Sequence, residues 1–167
     1  MSPLSHDNCL LEAVPLLAIL TIPLLMFYQR EVMEDLRIMV VDDHPEVLRQ
    51  IEDRLSQEEG FWVYKSTTME NAYAQIMENK PDVLLIDPFI DRDLCLQTLK
   101  QIIHMLPSLT VIILAAVVDA ATQVELNKIG VKFILEKNVA SDQLVDTLRL
   151  VEAIKRKVIK YSEEEAG

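Results

Sequence analysis

Five short apolar runs, separated by stretches of helical periodicity, constrain the fold more than any other feature of this chain. The runs cover residues 37–41, 61–65, 83–86, 110–114 and 132–135. Val83-Leu84-Leu85-Ile86 contains no polar residue, as expected of a strand buried on both faces of a parallel sheet. Between runs, apolar residues recur at three and four. His44-Pro45 opens a first helix, with proline in the first turn, where its missing N–H costs nothing. Val47, Leu48, Ile51 and Leu55 keep helical spacing through Gln57, and Gly60 breaks the chain. Thr67 or Thr68 can cap a second helix whose inner stripe is Ala72, Tyr73, Ile76 and Met77. A third starts at Asp91–Asp93, turns Leu96, Leu99, Ile102, Ile103 and Leu106 inward, and ends at Pro107. A fourth, Asp119–Ile129, has a weak stripe and stops at Gly130. Ser141 is placed to cap a last helix, built on Leu144, Leu148, Val151 and Ile154, that runs to about Tyr161. Strict alternation of strand and helix implies right-handed βαβ units and a doubly wound parallel sheet with helices on both faces.

Two of the runs deliver carboxylates. Ile38-Met39-Val40-Val41 leads into Asp42-Asp43, and Val83–Ile86 leads into Asp87. Open α/β sheets bind ligands beyond the carboxyl ends of their strands, where the strand order reverses. In the flavodoxin-like order 2-1-3-4-5, strands one and three are neighbours at that point. Three carboxylates then share one rim, and Lys137, after strand five, brings an ammonium. Crowded acids repel and need a cation; oxygen donors favour Mg²⁺. Mg²⁺ keeps open positions for phosphate oxygens, and Lys137 adds a point charge. Such a rim can move a phosphoryl group onto a carboxylate by positioning and charge neutralisation. The plainer alternatives are a solvated acidic turn at Asp42-Asp43 and an ordinary surface lysine at 137.

Composition narrows the remaining classes. A formal net charge of -11 repels phosphate backbones and argues against nucleic acid as a partner. Cys9 and Cys95 are far apart and no CxxC occurs, which indicates neither a disulfide framework nor a zinc site and fits a reducing, cytoplasmic setting. His6, His44 and His104 are scattered, so no histidine-based metal cluster is visible. The three glycines form no phosphate-binding loop, and no Cys-x5-Arg or Ser-His-Asp pattern occurs, which disfavours a phosphatase or a flavoprotein.

The N-terminal residues 1–32 form a separate extension, in which residues 13–28 carry no charge. This stretch falls slightly short of the roughly 20 residues that span a bilayer as a helix. No Lys or Arg precedes it, whereas Arg30 and Arg37 follow. A signal peptide is disfavoured, because the basic leading region is missing. As a membrane anchor, it would leave the rest of the chain on the cytoplasmic side. Alternatively, Met33 is the start and residues 1–32 are a translated upstream extension; a helix docked on the domain is a third reading. Residues 157–167 are expected to be a helix end with a disordered acidic tail.

Three segments together resemble the receiver domain of two-component response regulators: Val41-Asp42-Asp43-His44-Pro45, Lys80-Pro81-Asp82 through Asp87, and Gly130-Val131-Lys132 through Leu135-Glu136-Lys137-Asn138. The first is similar to the opening of the NarL/LuxR-type subgroup. The resemblance covers about 36–156. It implies that Asp87 accepts a phosphoryl group from a sensor histidine kinase or phosphotransfer protein. It further implies that Asp42, Asp43, Asp87 and the Phe89 backbone carbonyl hold Mg²⁺, while Lys137 contacts the acyl phosphate. The protein would assist its own phosphorylation without being an enzyme in the usual sense. Having no output domain in this sequence, it would act by passing its phosphate onward or by docking on a downstream protein or a second copy through its last helix and the strand-five edge.

The chain departs from that family at the residues that transmit a signal. Ala115 stands where a Ser or Thr donates to the phosphoryl oxygen, and Ile134 stands where an aromatic ring turns inward. Phe133 has a ring, but period two points it to the other face. Phe89 and Val117, both apolar, are expected beside the phosphate. The competing expectation is therefore a pseudo-receiver, a protein-interaction module independent of phosphorylation.

Overall fold

The computed structural model describes residues 35–90, 92–137 and 142–166, all within one unit comprising 35–167. The readings made for residues 1–32, the Ser141 cap and the part of Asp91 in starting the third helix lie outside these residues. Among the described residues no helix is long and apolar enough to cross a membrane.

Strands β1 (Leu36–Val41), β2 (Phe61–Ser66), β3 (Val83–Ile86), β4 (Thr110–Ala115) and β5 (Phe133–Glu136) alternate with five helices. These are α1 (Pro45–Leu55), α2 (Met69–Asn79), α3 (Arg92–Met105), α4 (Ala120–Lys128) and α5 (Asp142–Ala166). The sheet is wholly parallel, in the order β2-β1-β3-β4-β5. Each helix between two strands therefore connects parallel strands of the same sheet.

Period two within each strand sorts the core into two layers. Met39, Val41, Leu84, Ile86, Val111 and Ile113 face one side, against Ala72 and Ile76 of α2, Leu99 and Ile102 of α3, and Leu126 of α4. Ile38, Val40, Val83, Leu85, Ile112 and Leu114 face the other, against Leu48, Ile51 and Leu55 of α1 and Leu144, Leu148 and Val151 of α5; Ile154, expected on that stripe, is exposed instead. Strands between two helical layers have no solvent face, which is why residues 38–41 of β1, the whole of β3 and residues 111–115 of β4 read as unbroken apolar runs. On β5, Phe133 packs with the α1–α5 layer and Ile134 with the other, as the pleat requires.

Local chemistry sets the boundaries. Thr68 Oγ1 accepts from the Asn71 N–H at 3.3 Å, and Asp119 Oδ1 from the Thr122 N–H at 2.8 Å, so α2 and α4 carry side-chain caps. Lys80 closes α2 in the left-handed region, with φ 45°. Gly130, with φ 98°, turns the chain after α4. Helix α1 ends at Leu55 rather than Gln57: the Ser56 N–H makes the last helical bond, to the Glu52 carbonyl, and the Glu58 N–H then turns more tightly, to the Leu55 carbonyl at 3.1 Å. Helix α5 continues to Ala166, beyond Tyr161. Glu and Ala are strong helix formers, and neither Gly nor Pro intervenes before Gly167. The acidic run 163–165 is thus helical, not the disordered tail that its charge suggested.

At the N-terminal edge of the sheet, buried Asp82 accepts from the Arg37 N–H at 2.9 Å and the Arg37 guanidinium at 3.4 Å. The Lys155 ammonium pairs with the same carboxylate. Burial opposes the charge on Asp82, but Lys155 and Arg37 outweigh it and hold the carboxyl below the usual carboxylate range. This cluster pins α5 to β1 at the end of the sheet remote from Asp87.

Candidate functional site

Strand register builds the site. Val41 pairs with Ile86 across β1 and β3, so the residues one step beyond, Asp42 and Asp87, leave the sheet side by side. Neighbouring strands lie about 4.8 Å apart, which sets the spacing of the two backbones. The Asp87 N–H donates to the Val41 carbonyl at 3.1 Å, and the Asp42 N–H to the Ser66 carbonyl at 3.2 Å. Both acids are therefore held by the ladder itself.

Lys137 reaches them from the far side of β4. Its backbone N–H donates to the Ala115 carbonyl at 2.9 Å, extending the β4–β5 pairing by one residue. Its Nζ lies 2.5 Å from Asp42 Oδ2 and 2.6 Å from Asp87 Oδ2. The three side chains are 3, 10 and 14% exposed for Asp42, Asp87 and Lys137. Burial opposes the charge of the ammonium, but the two carboxylates outweigh it and hold Lys137 above the usual lysine value. The second Asp87 oxygen, Oδ1, accepts from the Phe89 N–H at 2.9 Å. Both oxygens of Asp87 are thus oriented.

Asp43 sits at the exposed outer side of the rim and meets His44, whose Nδ1 is 2.6 Å from Asp43 Oδ1 and 3.1 Å from Asp42 Oδ1. The backbone N–H of His44 also donates to Asp42 Oδ1 at 2.9 Å. One oxygen each of Asp42 and Asp43 and one nitrogen of His44 lie within 4.8 Å of one another, a grouping able to hold a metal ion. Three carboxylates around a single ammonium leave two negative charges unbalanced, His44 aside. A divalent cation brings that charge, and two carboxylates suit it as hard donors. The residues present fit Mg²⁺.

The structure brings Asp42, Asp87 and Lys137 into direct contact and puts Asp43 on the rim beside them. It gives Phe89 a part through its N–H. Phe89 and Val117 are both exposed. Ala115 is buried at the end of β4 and offers only a methyl group, while Ile134, half-buried, packs against the core and pairs with Ile113. His44 is the participant that sequence reasoning assigned only to opening α1. Its separation from Asp42 by two residues, in a chain about to turn into a helix, was the available signal.

Among family models, the response regulator receiver domain matches residues 38–149. No match was found among curated proteins. Similar solved structures include a response regulator from Thermotoga maritima, 21% identical, with a TM-score of 0.64 over 71% of this chain and 98% of that one. A CheY-like receiver domain protein from Methanospirillum hungatei JF-1 is 19% identical, with a TM-score of 0.68 over 74% of this chain and 98% of that one. The receiver domain of a putative LuxO repressor protein from Vibrio parahaemolyticus is 21% identical, with a TM-score of 0.63 over 80% of this chain and 98% of that one. These structures share the fold. With the five-stranded order, the paired aspartates after β1, Asp87 after β3 and Lys137 after β5, the family match leads to one conclusion: this chain belongs to the response regulator receiver domain family.

Proposed function

We propose that this receiver domain accepts a phosphoryl group on Asp87 from the phosphohistidine of a sensor kinase or phosphotransfer protein. The observation that carries this reading is the double contact of Lys137 with Asp42 and Asp87. Buried Asp82 serves structure with two cations around one carboxylate; here two buried carboxylates share one half-buried ammonium, which leaves negative charge in excess at a sheet rim. A phosphoryl acceptor has a use for all of them.

In the transfer, an Asp87 oxygen forms a bond to phosphorus as the N–P bond of the phosphohistidine breaks. The bonding pair stays on the imidazole, which takes a proton from solvent. The Phe89 N–H holds Asp87 Oδ1, fixing the plane of the nucleophile. Lys137 lies on the Oδ2 side, where phosphoryl oxygens would meet its ammonium. Asp42, Asp43, Asp87 and the Phe89 carbonyl are the groups that would hold Mg²⁺. When bound, Mg²⁺ supplies neutralising charge to the phosphoryl oxygens. The exposed apolar residues Leu150, Ile154 and Val158 of α5 support a downstream protein, or a second copy of the chain, docking on that helix.

The test is intact-mass analysis after incubation with acetyl phosphate and Mg²⁺, and again with beryllofluoride and Mg²⁺. The expected result is one phosphoryl adduct in the wild type and none in Asp87→Ala. Absence of both the adduct and beryllofluoride binding would replace this reading with that of a phosphorylation-independent interaction module. The substitutions at Ala115 and Ile134 are what favour that second reading.

A further inference from the structure

We infer that His44 gives the rim a nitrogen donor, so that its cation site prefers first-row transition cations such as Mn²⁺, Co²⁺, Ni²⁺ and Zn²⁺ to Mg²⁺. This rests on the reading above only in requiring a cation at the rim. The geometry is specific. In an octahedral shell with metal–ligand distances of about 2.1 Å, adjacent donors lie about 3.0 Å apart. His44 Nδ1 lies 2.6 Å from Asp43 Oδ1 and 3.1 Å from Asp42 Oδ1, two separations on either side of that edge, and the three atoms all lie within 4.8 Å of one another. A cation can therefore meet all three atoms after small adjustments of side chains.

The placement of His44 permits such adjustment. Its backbone is fixed: its N–H donates to Asp42, and its carbonyl accepts from the Val47 and Leu48 N–H groups at 3.0 and 3.2 Å. Pro45 stiffens the next step of the chain. The ring itself is 66% exposed and forms no capping bond to α1. Its Nδ1 is held by the two acids themselves, so the ring can adjust about its own bonds while its root stays beside them. Asp42 is buried behind it and Asp43 flanks it, so the ring closes the outer side of the carboxylate pair.

The donor chemistry then decides the metal. Carboxylates and water suit Mg²⁺ and Mn²⁺, whereas imidazole suits Ni²⁺, Zn²⁺ and their neighbours, with affinity rising along the Irving–Williams order. A rim built from oxygen alone also favours later metals to some extent. The distinguishing property is that, here, the excess depends on His44.

The experiment is calorimetric titration of the untagged, metal-stripped full chain with NiCl₂ and with MgCl₂, for wild type, His44→Ala and Asp42→Asn. Bound Mn²⁺ is also examined by electron spin-echo modulation for coupling to ¹⁴N. Ni²⁺ is expected to bind more tightly than Mg²⁺. His44→Ala should weaken Ni²⁺ by about tenfold or more and change Mg²⁺ by less than about twofold. The ¹⁴N modulation should be present in the wild type and absent in His44→Ala. Asp42→Asn should weaken both metals, which separates the rim from adventitious surface binding. Equal losses for both metals in His44→Ala, an unchanged Ni²⁺ affinity, or no ¹⁴N coupling in the wild type would overturn the inference. Because the His44 side chain caps nothing, His44→Ala keeps its fold, and matching thermal melts check this. Failure of the phosphoacceptor reading would show separately, as a missing Asp87 adduct in wild-type protein with Mg²⁺.

Discussion

Replacing Lys137 by methionine keeps most of the apolar stem and removes the ammonium that joins Asp42 to Asp87 at 2.5 and 2.6 Å. Removing one partner of a buried ion pair costs about 3–5 kcal/mol. A ceiling comes from the alternative of protonating one carboxyl. Each pH unit above an ordinary carboxyl value of about 3.9 costs about 1.4 kcal/mol, so neutralisation at pH 7 costs about 4 kcal/mol. The expected loss for Lys137→Met, in EDTA at pH 7, is therefore about 3–4 kcal/mol. At pH 5 the same arithmetic gives about 1.5 kcal/mol. The folded variant then holds a proton that the unfolded chain does not, so its stability falls as pH rises and the deficit narrows on acidification. Mg²⁺ at about a hundred times its dissociation constant returns about 2.7 kcal/mol. The gain should exceed that of the wild type, in which the ammonium competes for the same oxygens. Adding Asp87→Asn, which removes a carboxylate instead of a cation, recovers part of the loss. Urea unfolding, followed by circular dichroism with and without Mg²⁺, measures each quantity. A deficit below about 1 kcal/mol, the size expected of an exposed pair, or no extra stabilisation by Mg²⁺, would refute the electrostatic account of the rim.

Ala115→Ser restores a hydroxyl at the end of β4 and should speed labelling of Asp87 by acetyl phosphate about tenfold, less than a donor supplies in a sealed site; an unchanged rate would mean that the hydroxyl does not reach the phosphoryl oxygens. Asp82→Asn should cost about 1–2 kcal/mol at pH 7, discounted because Arg37 and Lys155 are about one-third exposed. The Asp82 carboxyl lies below its ordinary value when folded, so its contribution is present above about pH 3.9 and is lost as pH falls through the lower folded value. Urea titrations from neutral to acid pH should show wild type and Asp82→Asn converging. Gly130→Ala places a Cβ 3.7 Å from Ile103 Cγ2, which is ordinary contact, at a φ of 98°; backbone strain alone should cost about 1–2 kcal/mol, read as a lower urea midpoint with an unchanged slope.

Much of this molecule is legible in its sequence because burial on two faces leaves no freedom in a strand's composition. The runs ending at Val41 and Ile86 fix where β1 and β3 stop, and the parallel register then makes Asp42 and Asp87 neighbours. The parity of Phe133 and Ile134 follows from the pleat alone. Long, flexible side chains follow no such rule. A lysine after β5 could serve solvent as well as the rim, and only coordinates show Lys137 reaching both acids. Asp82 reads as a turn residue between Pro81 and Val83, since its partners Arg37 and Lys155 are remote in sequence. His44 reads as the residue before a helix-opening proline, because a ring rotation, invisible to periodicity, decides which groups it meets.

The signal-bearing positions lead to a final prediction. Transmission from the rim to the far edge of the sheet requires an element with two arrangements, biased by the phosphoryl group. In this family, as the sequence resemblance implies, a hydroxyl moves toward phosphate and an aromatic ring fills the vacated space. Ala115 has no donor to move, and the Lys137 N–H already engages its carbonyl at 2.9 Å. Ile134 pairs with Ile113 across the β4–β5 ladder and packs against the α2–α4 layer. A β-branched side chain is stiff about its first bond, and Ile134 is half-buried with one side against a close-packed core. Neither position supplies a bistable part. Beryllofluoride with Mg²⁺ should therefore shift the backbone amide resonances of Asp42–His44, Asp87–Phe89, Ala115 and Lys137, and leave those of Phe133 to Leu135 and of the Leu144–Val151 stretch of α5 nearly unmoved. A partner of the phosphorylated form would then read the altered rim directly. Large shifts at Ile134 and along α5 would instead show that another element carries the signal.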